Sequence, residues 1–399
     1  MENNQKRNIF ILTSLAFLGS LGFGFIRIII PIYVRYLGAT GLQVGLLSSG
    51  FMLARAFAAV LFGKRSDVKG KRRLYIRTGL SLTVVILLLY PVIPNYYWIL
   101  LMRLLQGFLS GLTWPIAQTM LLESTQETKR ATWFSIYFVS GRVGTIFANL
   151  SLGALIYLLE KNLGITEQNT FSYFFVLAAF LFFVAFLESA GLKELVLHPK
   201  EGSKTSVTQG RFKVNHLFIF AFIVGLFLGT FNSIIIIYLK EGFNLSTGNV
   251  AYALFGAYLI SFPFVLSLSL FADRKGVDKV FHVILITMIT LSLIIPGIKD
   301  LKLLVIMLGL IYAALNSFVP ISRATVSHLK RKKSLGENIG KINAFQNIGQ
   351  IIGPLIAGIV YDTLRNKLFS LTLFGILLFL AYVAWIIHLI AQERKAIHP

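Results

Sequence analysis

Six arginines stand inside long apolar runs: Arg27, Arg55, Arg77, Arg103, Arg142 and Arg323. A guanidinium held away from water is costly, so it must pair, hydrogen-bond or receive an anionic group. Counted from the ends of their runs, Arg55 and Arg142 fall near mid-depth. Arg27 and Arg103 lie in one half, and Arg77 and Arg323 lie close enough to a run end to reach the surface along their alkyl stems. The chemistry open to Arg27, Arg55 and Arg142 is either recognition of an anion or acceptor, or concealed structural hydrogen bonding. Acids are placed differently. All 16 Asp and Glu fall in loops or at run ends, with Glu123, Glu188 and Asp362 the least remote from the apolar interior. The runs therefore offer no mid-depth carboxylate for proton transfer. His282 is a titratable alternative, although an isolated His near the start of a run also fits a structural role. An arginine-rich, acid-poor interior suits an anionic cargo, or a neutral one moved by uniport or exchange. There is no His-Glu-x-x-His, no Gly-rich phosphate loop ending in Gly-Lys-Ser/Thr and no buried carboxylate pair. No catalytic residue, metal site or cofactor is expected, and a self-contained ATP-driven pump is excluded. The chain has no cysteine, which removes disulfides, thiolate metal sites and thiol nucleophiles.

A second constellation lies between runs. Gly63-Lys-Arg-Ser-Asp67-Val-Lys-Gly70-Lys71-Arg72-Arg73 joins two apolar stretches, and Ser269-Leu-Phe-Ala-Asp273-Arg274-Lys-Gly276 joins two others. Gly63 and Gly70 permit a tight turn and close approach to a neighbouring helix. Glu123 and Glu188 are available partners for Lys71, Arg72 or Arg73. The spacing of Asp67 and Asp273, about 205 residues, recurs for Tyr33 and Tyr238, Pro115 and Pro320, Gly144 and Gly349, and Gly153 and Gly358. One spacing held along the whole chain indicates a duplicated unit.

The elements that position these residues follow from hydropathy. The 399 residues are 56% hydrophobic and 14% charged, too apolar for a soluble protein. A span needs about 20 apolar residues. Twelve are read, at roughly 8–36, 41–63, 74–94, 97–122, 131–159, 170–189, 215–239, 247–271, 279–297, 301–328, 339–362 and 367–391. The expected fold is an all-α integral membrane protein of two pseudo-symmetric six-helix bundles, residues 1–192 and 215–399, joined by a polar linker over 193–214. Most of the 38 Lys and Arg lie in loops on one side, which makes that side and both termini cytoplasmic. The net charge of +22 is thereby explained by topology and anionic lipid rather than by nucleic acid, since no single basic patch forms. No cleavable signal peptide is apparent, because the first run is long and contains Arg27.

Twelve spans, two repeats, a central linker and the 63–73 loop together resemble the major facilitator superfamily over the whole chain. Gly63, Asp67, Gly70, Lys71 and Arg72 match its loop signature, with Val68 in place of the usual Arg. The second copy keeps Asp273, Arg274 and Gly276, with Ser269 in place of the first Gly. Arg103, Gln106 and Gly107 match the family's Arg-x-x-Gln-Gly pattern on the fourth span. The Gly-Pro pattern of antiporters is incomplete on the fifth span, where Gly141, Gly144 and Gly153 lack the Pro, and appears on the eleventh as Gly349, Gly353, Pro354 and Gly358. The resemblance implies conformational latches at Asp67 and Asp273, facing the starts of the eleventh and fifth spans, where a helix N-terminus favours a carboxylate. It also implies a substrate cavity lined by the first, fourth, seventh and tenth spans. Candidates are Arg27, Tyr33, Trp114, Gln118, Asn232, Tyr238, Asn316 and Arg323, with Arg55 and Arg142 from the second and fifth spans. Gln346 and Asn347 add a polar stripe on the eleventh span that fits interhelical bonding as well as substrate contact.

Gly144, Gly153, Gly349, Gly353 and Gly358 let helices cross closely, for static packing or for sliding during a cycle. Pro115 and Pro320 bend equivalent helices. The implied activity is secondary transport by alternating access: export of small amphipathic compounds from the cell by a multi-pass plasma-membrane protein. The alternative is an organic-anion or metabolite carrier. Expected partners are a small-molecule substrate, the lipid bilayer and a coupling ion, either a proton or a counter-substrate. The carrier is expected to act as a monomer.

Overall fold

The computed structural model describes residues 3–93, 95–126, 129–194, 214–327 and 335–397. Among them every regular element is a helix. Lipid supplies no partner for backbone N–H and C=O groups, so a spanning segment must satisfy them within itself. The helices are α1 (Asn3–Tyr36), α2 (Gly41–Lys69), α3 (Arg72–Leu89), α4 (Tyr96–Ser124), α5 (Arg130–Leu163), α6 (Glu167–Glu188), α7 (Val214–Phe231), α8 (Ile234–Gly242), α9 (Thr247–Lys275), α10 (Val277–Ile294), α11 (Leu301–Ser327), α12 (Leu335–Thr363) and α13 (Phe369–Ile397). Eleven are long and apolar enough to cross a membrane, and α7 with α8 forms a bent pair.

Local chemistry sets the ends. The Thr40 hydroxyl accepts from the Gln43 amide while the Gln43 side chain accepts from the Thr40 amide, a reciprocal cap that starts α2. Gly70, at φ 60°, closes α2 in a left-handed conformation that a side chain would strain. The Asn95 side chain accepts from the amides of Tyr97 and Trp98 and starts α4.

One span departs from its expected form. Residues 215–239 read as a single helix, but the chain bends by 42° between Phe231 and Ile234. Two hydroxyls compete for carbonyls just before the bend: Thr230 donates to Leu226, and Ser233 donates to Gly229. Such back-bonding loosens a helix.

The chain forms two compact units. One contains Met1–Gly202 together with Leu239–Phe255; the other contains Ser203–Tyr238 together with Gly256–Pro399. The first therefore includes a short piece of the second sequence repeat. Within each unit the same close crossing is built. A Cβ on Gly144 of α5 would meet the Phe17 carbonyl and the Leu21 amide of α1, and a Cβ on Gly349 of α12 would meet the Phe222 carbonyl and the Leu226 amide of α7. Phe17 and Phe222, and Leu21 and Leu226, carry the spacing of the sequence repeat. Gly353 lies against Leu226 in the same seam, and Gly107 and Gly111 of α4 lie against the α2 backbone at Phe51 and Arg55.

Candidate functional site: a charged interior framed by two ends

The interior of the first unit brings three helices together around a buried phenol. Tyr137 on α5 is 4% exposed. It hydrogen-bonds Gln118 of α4 and interacts with the Arg55 guanidinium of α2. Phe134 and Phe138 flank it, with ring centroids 6.3 and 5.5 Å from the Tyr137 ring. Arg55 and Gln118 thus meet at a side chain that the sequence did not single out. Tyr137 is one aromatic in an aromatic-rich stretch, with no spacing to mark it. Arg27 and Arg142 are half-buried on α1 and α5. Trp114 packs over Gly19 and stands edge-on to Phe23, 6.2 Å between centroids. Tyr33 is enclosed edge-on by Phe171 and Phe175 of α6.

Arg103 serves the bundle rather than an opening. Its Nη1 donates to Gln106 Oε1 at 2.7 Å, and its guanidinium lies 4.5 Å from the Phe51 ring centre. The Tyr90 side chain interacts with the same guanidinium and stacks on Phe175 at 4.7 Å. One cation thereby joins α2, α4 and the turn after α3.

At the end carrying the basic loop, Arg72 is 9% exposed. Its Nε donates to Glu123 Oε2 at 2.6 Å and its Nη2 to Glu123 Oε1, the bidentate form that suits guanidinium and carboxylate. Its Nη1 donates to Ser66 Oγ, which in turn donates to the Gly63 carbonyl. The Arg73 amide donates to Glu194, and Arg73 Nη2 donates to the Ala190 carbonyl. Asn8 donates to Ser124 and exchanges bonds with both backbone groups of Lys193. The loop is thus tied to α4 and to the segment after α6, and α1 is held beside them. Lys71 and Gly70 are exposed. The side chains of Asp67, Asp273 and Arg323 lie outside the described residues, as does most of the 193–214 linker.

At the opposite end of the first unit, Glu167 starts α6 and collects three donors. Lys240 Nζ approaches Oε1 at 2.5 Å, the Thr247 amide donates to Oε1 at 2.6 Å, and the Tyr36 hydroxyl donates to Oε2 at 2.6 Å. Arg35 grips Glu241 through Nε at 2.5 Å and Nη2 at 3.0 Å. A Cβ on Gly153 would meet the Tyr252 ring, so α9 packs directly on α5. Burial disfavours the Glu167 carboxylate, but the bonds from Lys240, Thr247 and Tyr36 outweigh it and hold its pKa below the ordinary value of 4.5. This charged clasp joins Leu239–Phe255 to the first-repeat helices. Its sequence signal was weak: Arg35 and Lys240 carry the repeat spacing, but Glu167 and Glu241 read only as loop acids.

In the second unit Asn316 donates to the Tyr312 carbonyl at 2.8 Å, and Tyr312 stacks on Tyr258 at 4.7 Å. Tyr361 donates to the Ile237 carbonyl beside the half-buried Tyr238. Asn232 lies at the helix bend. Gln346 is 7% exposed, with its carbonyl against Gly225, so it sits in the α7–α12 seam; Asn347 is half-buried. Pro354 packs at Gly229, and Gly358 is buried. Arg274 is exposed, and Gly276 takes φ 95° between α9 and α10. Among the described residues no three His, Cys, Asp or Glu side chains cluster as metal ligands would.

Apolar helices packed as two like repeats, with charge gathered inside and at the ends, define a multi-pass membrane transporter rather than an enzyme. The sequence pattern of the Major Facilitator Superfamily matches residues 12–216 and 217–399, and the chain belongs to that family. The multidrug resistance protein MdtG of Salmonella arizonae is 25% identical over 396 residues, covering 96% of this chain and 95% of that protein. Among solved structures, the nucleoside transporter NupG gives a TM-score of 0.71 at 16% identity, covering 95% of this chain and 98% of that one. The human organic anion transporter MFSD10 gives 0.66 at 16% identity, covering 96% and 99%. At these identities the structural likenesses carry the fold alone.

Proposed function

We propose that this chain is a secondary exporter of small amphipathic compounds, working by alternating access without ATP. The observation that carries this reading is the end-to-end similarity to multidrug resistance proteins, which extends over 96% of the chain. The cell membrane is its place, with both termini cytoplasmic, because most Lys and Arg fall on that side. Residues 1–192 and 215–399 act as the two moving halves, with 193–214 as the linker. Asp67 and Asp273 are latches at the cytoplasmic end. The Arg72–Glu123 pair supports this role, since it ties the turn that follows α2, the helix carrying Asp67, to α4. Efflux of an amphipathic dye from proteoliposomes holding the purified chain tests the reading. Dye release no faster than from protein-free vesicles would overturn it.

A second reading is favoured by one constellation. Arg55, Gln118 and Tyr137 converge in the interior of the first unit, and a guanidinium beside two neutral hydrogen-bonding groups suits an organic anion. Uptake of a labelled aromatic carboxylate, with the dye as competitor, separates the two. Carboxylate flux that the dye leaves unchanged would favour the anion carrier.

A further inference from the structure

The first unit holds a cation that no carboxylate accompanies. Arg103 on α4 meets the Gln106 oxygen, the Phe51 ring face and the Tyr90 side chain, and among the described residues no acid is one of its partners. Charges taken out of water are normally paired, because a lone ion in a poorly polarisable interior is costly. The cluster also has more donors than acceptors. Arg103 Nε, Gln106 Nε2 and the Tyr90 hydroxyl are all buried, and among the described residues none has a hydrogen-bond partner in normal geometry. Gln106 and Tyr90 are fully enclosed, each 0% exposed. Guanidinium and amide N–H groups only donate, and the phenol has a proton to give, so what would satisfy all three is an acceptor. The second unit shows that the bundle does not need this charge. At the spacing of the sequence repeat, Arg103, Gln106 and Tyr90 correspond to Leu308, Ile311 and Ile295. Those three are likewise 0% exposed, and Ile295 opens a short turn after α10 just as Tyr90 opens one after α3. One copy of the fold fills this place with hydrocarbon and the other with donors.

We propose that Arg103, Gln106 and Tyr90 form a binding site for a small inorganic monovalent anion of the chloride class. A water molecule could accept from two of the donors, but it would leave the guanidinium without a counter-charge. An anion answers both needs at once, and bonds to it are strengthened by the guanidinium charge. The rings of Phe51 and Tyr90 wall the cluster, and Phe175 stacks behind Tyr90 at 4.7 Å between centroids. Aromatic walls suit a weakly hydrated ion such as chloride, bromide or nitrate, and disfavour sulfate, which gives up its water reluctantly. Arg103 stands about 10 Å along α4 from the helix start at Tyr96. Tyr90 closes α3 at the end opposite the basic 63–73 loop. The bound ion is a fixed counter-charge that joins α2, α4 and the turn between α3 and α4, so chloride stabilises the first unit. The site is separate from the Arg55, Gln118 and Tyr137 constellation, and it does not depend on which cargo is carried or on whether any is.

The test is a thermal melt of the purified full chain in detergent, with chloride replacing gluconate at constant ionic strength. The midpoint is expected to rise by at least about 2 °C and then saturate, since a ligand that binds only the folded chain stabilises it. Bromide and nitrate should act as chloride does, and sulfate should not. Saturable binding of radioactive chloride to the same protein reads the site directly. Arg103→Leu copies the second repeat, so it should still fold and should lose both responses. Tyr90→Phe keeps the ring stack on Phe175 and should weaken chloride binding at least fivefold; it decides the matter if Arg103→Leu does not fold. Arg55→Ala should leave the chloride response intact. Equal midpoints in chloride and gluconate, a rise shared equally by sulfate, loss of chloride binding in Arg55→Ala, or chloride binding unchanged in Arg103→Leu or in Tyr90→Phe would overturn the proposal. No flux is measured, so a chain that moves no substrate still shows the binding, and a carrier lacking the site does not.

Discussion

Arg72 and Glu123 form a largely enclosed ion pair, with side chains 11% and 15% exposed. Removing one partner strands the other in a poorly solvated place, which typically costs about 3–5 kcal/mol. Arg72→Ala is therefore expected to lower the unfolding midpoint sharply in a detergent thermal melt. The double change Arg72→Met with Glu123→Leu should recover most of that loss, because neither charge is left behind. A double variant no more stable than the single one would contradict this account. Arg55 makes a different prediction. If it receives an anionic cargo, Arg55→Ala should weaken binding of an aromatic carboxylate at least tenfold, about 1.4 kcal/mol, by equilibrium titration. Unchanged affinity would make Arg55 a structural partner of Tyr137. Arg55 and Gln118 were legible in the sequence as polar residues in apolar runs. Tyr137 was not, because a phenol among phenylalanines has no signature until α2, α4 and α5 bring it beside a guanidinium.

Helix positions were the most legible feature, because an apolar run of about 20 residues has one economical fate in lipid. The bend between α7 and α8 escaped notice because the hydroxyls of Thr230 and Ser233 sit within an otherwise apolar run. Whether they cap carbonyls or leave the helix straight depends on its packing. The glycine seams were legible through their shared spacing, and each has a clear mechanical consequence. Gly349→Leu would drive a side chain into the Phe222 carbonyl, an overpacking that typically costs about 1–3 kcal/mol. A chemical-denaturation midpoint that does not fall would show the seam to be looser than described. The clasp at Glu167 was illegible, since its charges are scattered through the sequence and meet only when α6, α8 and α9 assemble. Its pKa is lowered in the clasped state, so the stabilisation is fully present above the ordinary value of 4.5 and is lost as pH falls through the clasped value. The Thr247 amide donates to Glu167, so its protection against hydrogen exchange, corrected for the intrinsic rate at each pH, should fall below pH 4.5. Lys240→Met should lower that protection already at pH 7. Equal protection in the two backgrounds would remove Lys240 from the clasp.

At the scale of the whole molecule, the repeat is the strongest statement the sequence makes, and the structure repeats it in atoms. Phe17 meets Gly144 as Phe222 meets Gly349, with the same carbonyl and the same following amide. A duplicated bundle explains why the charges lie at helix ends and between helices, and why no constellation for covalent chemistry appears in the sequence. Cargo is less legible, because specificity resides in a few side chains where the halves differ, such as Arg27 opposite Asn232. The account stands on movement of a solute across a bilayer by this chain alone. The direct measurement is counterflow: ATP-free proteoliposomes preloaded with an unlabelled amphipathic compound, with labelled compound added outside. Transient, saturable accumulation above the outside concentration is predicted, and it should be strongly reduced in Asp67→Asn at equal protein density. Uptake no greater than in protein-free liposomes, or linear in concentration without saturation, would contradict the account.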